Sequence, residues 1–311
     1  MRPRLMAAAF AAVMVAACSA EGSTATTDAT IAPTAPASSS TTSSTTTAPV
    51  VSNTTTEPAR VDPSYDDIPE GQCSHLTVRS IGFRNDTGEV ANGYREIGTS
   101  TEGRTIWSEH WGPLAGPQVL VFGQVHGDEC APAFMVRAIR ERPPTEFGIW
   151  LVPTLNPDGL ADHHRRTALD VDPNRDGYDL VTPEARAAMH ATELVEPILT
   201  VHLHSPYKWV GAHNGVLATQ VATAMSYAAG WGYPKNAGRV RNGTQAFLWE
   251  GQELVVPGSQ SVLVEFPATS PLESPAPPDL TQRQEGTVAE VIVAAEAMRD
   301  ALYATVAEPP A

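Results

Sequence analysis

A histidine and a glutamate three positions apart, His126 and Glu129, stand in the stretch FGQVHGDECAP. An imidazole nitrogen and a carboxylate oxygen on one short loop are a common half of a zinc site. His-x-x-Glu alone is weak, because chance matches abound in surface turns. A catalytic zinc set usually adds one more protein ligand from a distance and leaves a fourth position for water. VHLHSP supplies that ligand from His202 or His204, which share a face of a strand because alternate residues point the same way. His204 is chosen, since it lies nearer the strand end, where a loop opens into a cleft. Glu265, in VLVEFP, is a carboxylate at the end of an apolar run. Charged residues are rarely buried without a partner or a task. Beside an acidified water such a group can accept a proton and later deliver it to a leaving amine. The competing reading pairs Glu265 with an arginine at the strand mouth.

These residues need elements to hold them. Residues 118–127, 147–159, 197–206 and 261–268 are apolar runs that read as buried strands. Residues 131–142, 182–196, 221–232 and 285–307 carry helical spacing, the second opening on Thr-Pro-Glu with proline in the first turn. Strands alternating with helices predict an α/β fold, three layers deep, with a mixed, largely parallel sheet covered on both faces. His126 and Glu129, Asn156 and Asp158, His204, and Glu265 then follow four strands at their C-terminal ends, where open α/β sheets bind ligands. Glu129 is expected at the start of the helix after the first strand, with Gly127 leaving room for the turn. Asp128 receives no role.

The chain has 311 residues and a formal net charge of −15, which argues against nucleic acid as a partner. Residues 1–17 have the layout of a secretory signal peptide: Arg2 and Arg4, an apolar stretch, then small residues. VAAC, ending at Cys18, resembles the lipobox of bacterial lipoproteins, whose cysteine is acylated after cleavage. An ordinary cleaved leader with a chance cysteine is the alternative. From Cys18 to residue 66 the sequence is rich in Ser, Thr, Ala and Pro, too poor in large apolar side chains to build a core, and reads as a disordered tether. Residues 67–309 form the expected single domain. With Cys18 taken by lipid, Cys73 and Cys130 remain, as a disulfide or as two buried thiols. The expected location is extracytoplasmic, held to the bacterial cell membrane by the N-terminal lipid.

In order and collinearity the segments resemble the M14 zinc carboxypeptidases, and among them the bacterial murein-peptide amidases that cut γ-D-glutamyl–diaminopimelate bonds. IGTSTEGRTIW (97–107) looks like the family's opening strand pair, HGDE like its first ligand pair, and NPDG (156–159) and VDPNRDG (171–177) like two further motifs. HSP looks like its third ligand, and residues 243–267 like a segment closing on the catalytic glutamate. The resemblance covers about residues 94–300. It implies one Zn²⁺ held by His126, Glu129 and His204, with Glu265 as general base and acid. It implies Asn174 and Arg175 on the substrate's terminal carboxylate, and Arg165 on the oxyanion, with adjacent Arg166 as the fallback. Asp172 would orient His126, and Gln245 falls near the position that reads the substrate's terminal side chain. The substrate implied is a peptide, in the cell wall a murein stem, and a monomer is the expected state. Pro173 and Asp176-Gly177 depart from the family's pattern, which bears on the shape of the carboxylate pocket. His163, His164 and Lys208 are expected to be solvated. Alternative readings are a general metallocarboxypeptidase, an amidohydrolase of the aspartoacylase and succinylglutamate desuccinylase type, and a binding module of the envelope that has lost turnover.

Overall fold

The computed structural model describes residue 73 and residues 91–237, 245–270, 273 and 283–308. The expected leader 1–17, Cys18 and the tether to residue 66 lie outside the described residues, as do residues 238–244. Every element below belongs to one unit, Thr55–Ala311. Among the described residues no helix is long and apolar enough to cross a membrane.

Eight strands form one sheet: β1 (Gly93–Thr99), β2 (Thr105–Trp111), β3 (Gln118–Phe122), β4 (Gly148–Val152), β5 (Leu199–His204), β6 (Trp209–His213), β7 (Lys235–Asn236) and β8 (Ser261–Glu265). Their order is β1-β2-β4-β3-β5-β8-β6-β7. The four central strands, β4, β3, β5 and β8, are parallel, while β1, β2 and β6 join antiparallel. The sheet is therefore mixed and parallel at its centre, as the alternation of strand and helix patterns predicts.

Both faces are covered, which is why the central strands are almost wholly apolar rather than alternating. Leu120 and Phe122 point to one side, against α3 (Pro183–Val195) and Leu248 of α5 (Leu248–Val255). Val119 and Val121 point to the other, into a core with α1 (Ala133–Glu141), α4 (Val216–Ala228) and α6 (Val288–Ala307). A further short helix, α2 (Pro157–Asp162), follows β4. The sequence reading ran β3 and β4 too far: β3 stops at Phe122 and β4 at Val152. The residues beyond them, His126 and Glu129 among them, lie in loops.

α3 opens on Thr182, whose hydroxyl accepts from Ala185 N, with Pro183 in the first turn. The next residue, Glu184, is fully buried, and neither carboxylate oxygen meets a hydrogen bond of normal geometry. Burial lifts its pKa to about 7 and the nearby Asp158 charge adds to this; the backbone amides of Glu184 and Thr101 offset only part.

Candidate metal centre

Parallel register puts the expected ligands side by side. Phe122, the last residue of β3, pairs with His202, so His204 stands two residues beyond the end of β3. On the other side His204 pairs with Glu265, the last residue of β8. The loop after β3 folds back over this edge. Gln124 organises it from within: its amide nitrogen donates to the carbonyls of Gly127 (3.2 Å) and Glu129 (3.3 Å), and its amide oxygen accepts from the Thr154 hydroxyl at 2.5 Å. Gln124 is wholly buried, and sequence reasoning passed over it. The available signal was an amide inside an apolar run, which must find partners there. Gly127 has a different reason from the expected turn. A Cβ there would sit 1.9 Å from the Gly159 carbonyl carbon, so the loop rests main chain on main chain against α2. Glu129 lies in this loop, four residues before α1 begins, rather than at a helix start.

Three donor atoms converge. His126 Nδ1 lies 2.7 Å from Glu129 Oε1, His204 Nδ1 lies 3.0 Å from Glu129 Oε2, and the two Nδ1 atoms are 3.2 Å apart. Two nitrogens on a tetrahedral zinc, each about 2.05 Å from it, are about 3.3 Å apart. All three residues are buried. The outer nitrogen of His126, Nε2, donates to Asp172 Oδ1 at 3.0 Å, since an ionised carboxylate can only accept. That bond assigns the Nε2 proton and turns Nδ1 toward a second carboxylate, an arrangement that requires either a second proton or a cation between them. The donor set thus fits a borderline divalent cation, with an outer carboxylate fixing the tautomer of the first histidine. His202 sits one pleat back and away from this cluster. Its Nε2 donates to Gln252 Oε1 at 2.9 Å, and burial, with His204 beside it, lowers its pKa to about 3.

The electrostatics follow from these contacts. Burial would raise Glu129, yet His126 and His204 hold its carboxyl far below the ordinary range. Burial opposes ionisation of Asp172 as well, and His126 and then Arg165 hold it low. For His126, burial and Arg165 push down, and Glu129 with Asp172 wins, so the imidazole is raised. Glu265 is the exception. Burial first, then the Glu129 charge, lifts it well above the usual carboxylate value, and its Oε2 has no hydrogen-bond partner. Burial and a neighbouring carboxylate thus push Glu265 in the direction opposite to Glu129 and Asp172, a separation of the kind that proton transfer uses.

Of the two adjacent arginines, Arg165 turns inward. Its NH1 is 3.1 Å from Glu129 Oε1 and from His126 Nδ1, and its NH2 donates to Asp172 Oδ2 at 3.1 Å. Arg166 is exposed and donates to the Asp170 carbonyl at 2.7 Å. Asn156 pins this loop: its Oδ1 caps α2 at Gly159 N, and its Nδ2 donates to the carbonyls of Arg166 (3.1 Å) and Arg165 (3.4 Å). Asp158, also grouped with the site by sequence, instead clasps the β1–β2 turn, accepting from Ser100 Oγ at 2.6 Å and Arg104 NH1 at 2.7 Å. Asp128 is buried near Arg165 and adds to the negative field around it.

Pro173–Arg175 form a single 3-10 turn capped by Asp172, whose carboxylate accepts from Asn174 N at 2.9 Å. Asn174 is buried, its Oδ1 accepting from Leu248 N (3.3 Å) and its Nδ2 3.5 Å from His204 Nε2. Within the fold its amide braces His204 against α5. Arg175 lies over the Phe247 ring, 4.5 Å from its centroid, and Phe247 stacks on Trp249 at 4.2 Å. The departure at Gly177 has a steric cause: a Cβ there would lie 2.1 Å from the Phe247 carbonyl oxygen, and one on Gly251 would lie 2.0 Å from the Gly177 oxygen. Arg165, Arg166, Asp172, Arg175, Asp179 and Gln245 border a cleft of about 510 Å³. Cys73 and Cys130 are joined as a disulfide, which decides between the two alternatives for that pair. His163 is not simply solvated: its Nδ1 is shut off from water and has no hydrogen-bond partner. His164 and Lys208 are exposed, as expected.

Comparison with known proteins decides the fold. A candidate carboxypeptidase A from Shewanella denitrificans OS-217 superposes with a TM-score of 0.52 at 17% identity, over 69% of this chain and 64% of that one. This is a metallocarboxypeptidase-like fold. A metallo-carboxypeptidase from Pseudomonas aeruginosa, in complex with (2-guanidinoethylmercapto)succinic acid, superposes with a TM-score of 0.50 at 18% identity, over 70% of this chain and 65% of that one. The chain thus spans a little under two thirds of the length of both. A murein-tripeptide amidase from Escherichia coli O157 has a TM-score of 0.47 at 16% identity, over 68% of this chain and 94% of that one. No protein-family model and no curated protein matches the sequence.

Proposed function

We propose that this chain is a zinc-dependent peptidase that hydrolyses an amide bond next to a free carboxylate, with the stem peptides of the cell wall as substrate. The observation that carries the reading is the convergence of His126 Nδ1, Glu129 and His204 Nδ1 beside Glu265 at the same sheet edge. Zinc held there supplies Lewis acidity, polarising a carbonyl and acidifying a water molecule. Glu265 takes the proton from the attacking water at its unpartnered Oε2 and passes it to the departing amine, so that water is added across the C–N bond. Arg165 carries the positive charge that offsets the charge growing on the carbonyl oxygen. Asp172 holds His126 in the tautomer that leaves Nδ1 free to bind. Arg175, stacked on Phe247 at the cleft, takes the substrate's carboxylate in a two-pronged grip, with Asn174 setting the backbone from which it projects. The basic leader, the lipobox-like VAAC and the Ser/Thr/Pro-rich tract support a location outside the cytoplasm, on a lipid anchor at Cys18 and within reach of the wall.

The test is digestion of defined tri-, tetra- and pentapeptide stems by the purified protein, with mass analysis of products and metal analysis of the enzyme. One zinc per chain, and amine release that collapses in Glu265→Gln, are the expected results. Protein without zinc, or a Glu265→Gln variant as active as the parent, removes the enzymatic reading in favour of a binding module. Cleavage of ordinary peptides but not stems moves the substrate to peptides in general.

A further inference from the structure

A second cluster of metal-ligating side chains lies one residue from the first. Cys130 follows Glu129 directly, Cys73 is bonded to it, and a ring nitrogen of His163 completes a group whose donor atoms all lie within 4.8 Å of one another. We infer that the Cys73–Cys130 disulfide covers a latent site: once reduced, Cys73, Cys130 and His163 bind a zinc-class divalent cation.

Three features carry this. The donor types are two thiolates and an imidazole, a set that zinc accepts with one position left open. The donors come from three separate segments that the fold already holds together. Cys130 sits on the ligand loop, His163 ends α2, and Cys73 comes from before β1. His163 is fixed in a left-handed conformation (φ 50°, ψ 44°) at the end of α2, its backbone N–H bonded to the carbonyls of Gly159 and Leu160. Its Nδ1 is shut off from solvent and meets no hydrogen-bond partner. A buried imidazole nitrogen without a partner is an uncommon and costly arrangement, and one nitrogen of the same ring lies within 4.8 Å of both sulfurs. Zinc would hold the sulfurs about 3.8 Å apart, each about 2.3 Å from the ion. With Cα atoms 4.9 Å apart, rotation of the two cysteine side chains reaches that separation without moving the backbone.

The chemistry balances. An external thiol or phosphine gives two electrons, the S–S bond breaks, and two protons complete the thiols. Binding the cation then releases both protons, because thiolates are the ligands. The inference stands apart from the proposed peptidase activity.

Cobalt(II) tests it on the full chain carrying Cys18→Ser, in which the only sulfhydryls obtainable on reduction are Cys73 and Cys130. Before reduction no thiolate-to-cobalt charge-transfer band is expected, since the first site has only imidazole and carboxylate donors. After reduction with a phosphine, one further cobalt is expected to bind with a strong near-ultraviolet band of that kind. Cys73→Ser should lose the band, and alkylating the reduced thiols should do the same if that variant fails to fold. His163→Ala should bind the second cobalt at least about tenfold more weakly, the scale for loss of a supporting metal contact. No band on reduction, or unchanged affinity in His163→Ala, overturns the inference. A band that forms while the first site stays empty supports it and counts only against the peptidase reading.

Discussion

Asp172 offers the most demanding check on the metal centre, because one carboxylate does three things. It accepts from His126 Nε2 at 3.0 Å, from Arg165 NH2 at 3.1 Å and from Asn174 N at 2.9 Å. Asp172→Asn keeps the shape and removes the charge. If the new amide oxygen faces His126 and Asn174, its NH₂ meets the Arg165 guanidinium, donor against donor. If the amide flips, the NH₂ meets the His126 proton instead. Either way one charge-assisted bond is lost, worth about 1.5–3 kcal/mol. The expected result is a 10- to 100-fold drop in zinc affinity, roughly 1.4–2.7 kcal/mol, the range found when an outer partner of a ligating histidine is removed. Asp172→Ala should fall further, because the cap of the 3-10 turn goes as well. The assay is competition with a chromogenic zinc chelator at neutral pH. Thermal melts of the metal-free proteins separate lost affinity from lost fold. A folded Asp172→Asn protein whose zinc affinity stays within about twofold of the parent would refute the assignment, and with it the account of how the Nδ1 lone pair is aimed.

Other outcomes follow from the same geometry. Arg165→Ala should cost about 10²- to 10³-fold in turnover on a cleavable stem peptide, whereas Arg166→Ala should stay within a few-fold; equal losses would mean that the inward turn of Arg165 is irrelevant to rate. Glu184 predicts a pH effect with a definite sign. Its carboxyl stays protonated in the fold up to about pH 7 but ionises near 4.5 when unfolded, so stability falls as pH rises through that window and the full penalty stands above it. Glu184→Gln should therefore gain up to about 3 kcal/mol on the parent at pH 8 and little at pH 4; a difference that is flat with pH, followed by denaturant unfolding, would dismiss the assignment. Gly127→Ala drives a methyl into the Gly159 main chain and should cost about 3 kcal/mol, together with bound zinc, read by melting temperature and metal analysis.

The residues that converge were legible because each closes an apolar run, and parallel strands bring such ends to one edge. His126, His204 and Glu265 needed only that rule and the chain order. Choosing between Arg165 and Arg166 required the Asn156 side chain, which pins both carbonyls and so decides which guanidinium faces in. No pattern in the sequence encodes that bond. α5 was missed because Gly251 interrupts its helical pattern, and that glycine is there for the close approach to Gly177. β6 was missed because Trp209–His213 does not alternate; it is an edge-side strand holding Gly211 under the Trp209 ring. The inward contacts of Asn174, to His204 and Leu248 N, were not legible, because they depend on the turn fixed by Asp172. Cys73 and Cys130 are 57 residues apart, and local sequence carries no sign that the fold closes that distance.

The glycine-on-glycine contact between the Arg175 turn and α5 bears on how this cleft could be re-engineered. The residues that border it are not a cassette. Gly177 N bonds to the Ala246 carbonyl at 2.9 Å, and Gly251 abuts the Gly177 oxygen. Moving VDPNRDG into another scaffold without the start of α5 would leave Arg175 without the ring it lies on and the turn without its backing. Exchange of substrate preference, by design or by recombination between relatives, would therefore have to carry both segments together, although about 70 residues of chain separate them.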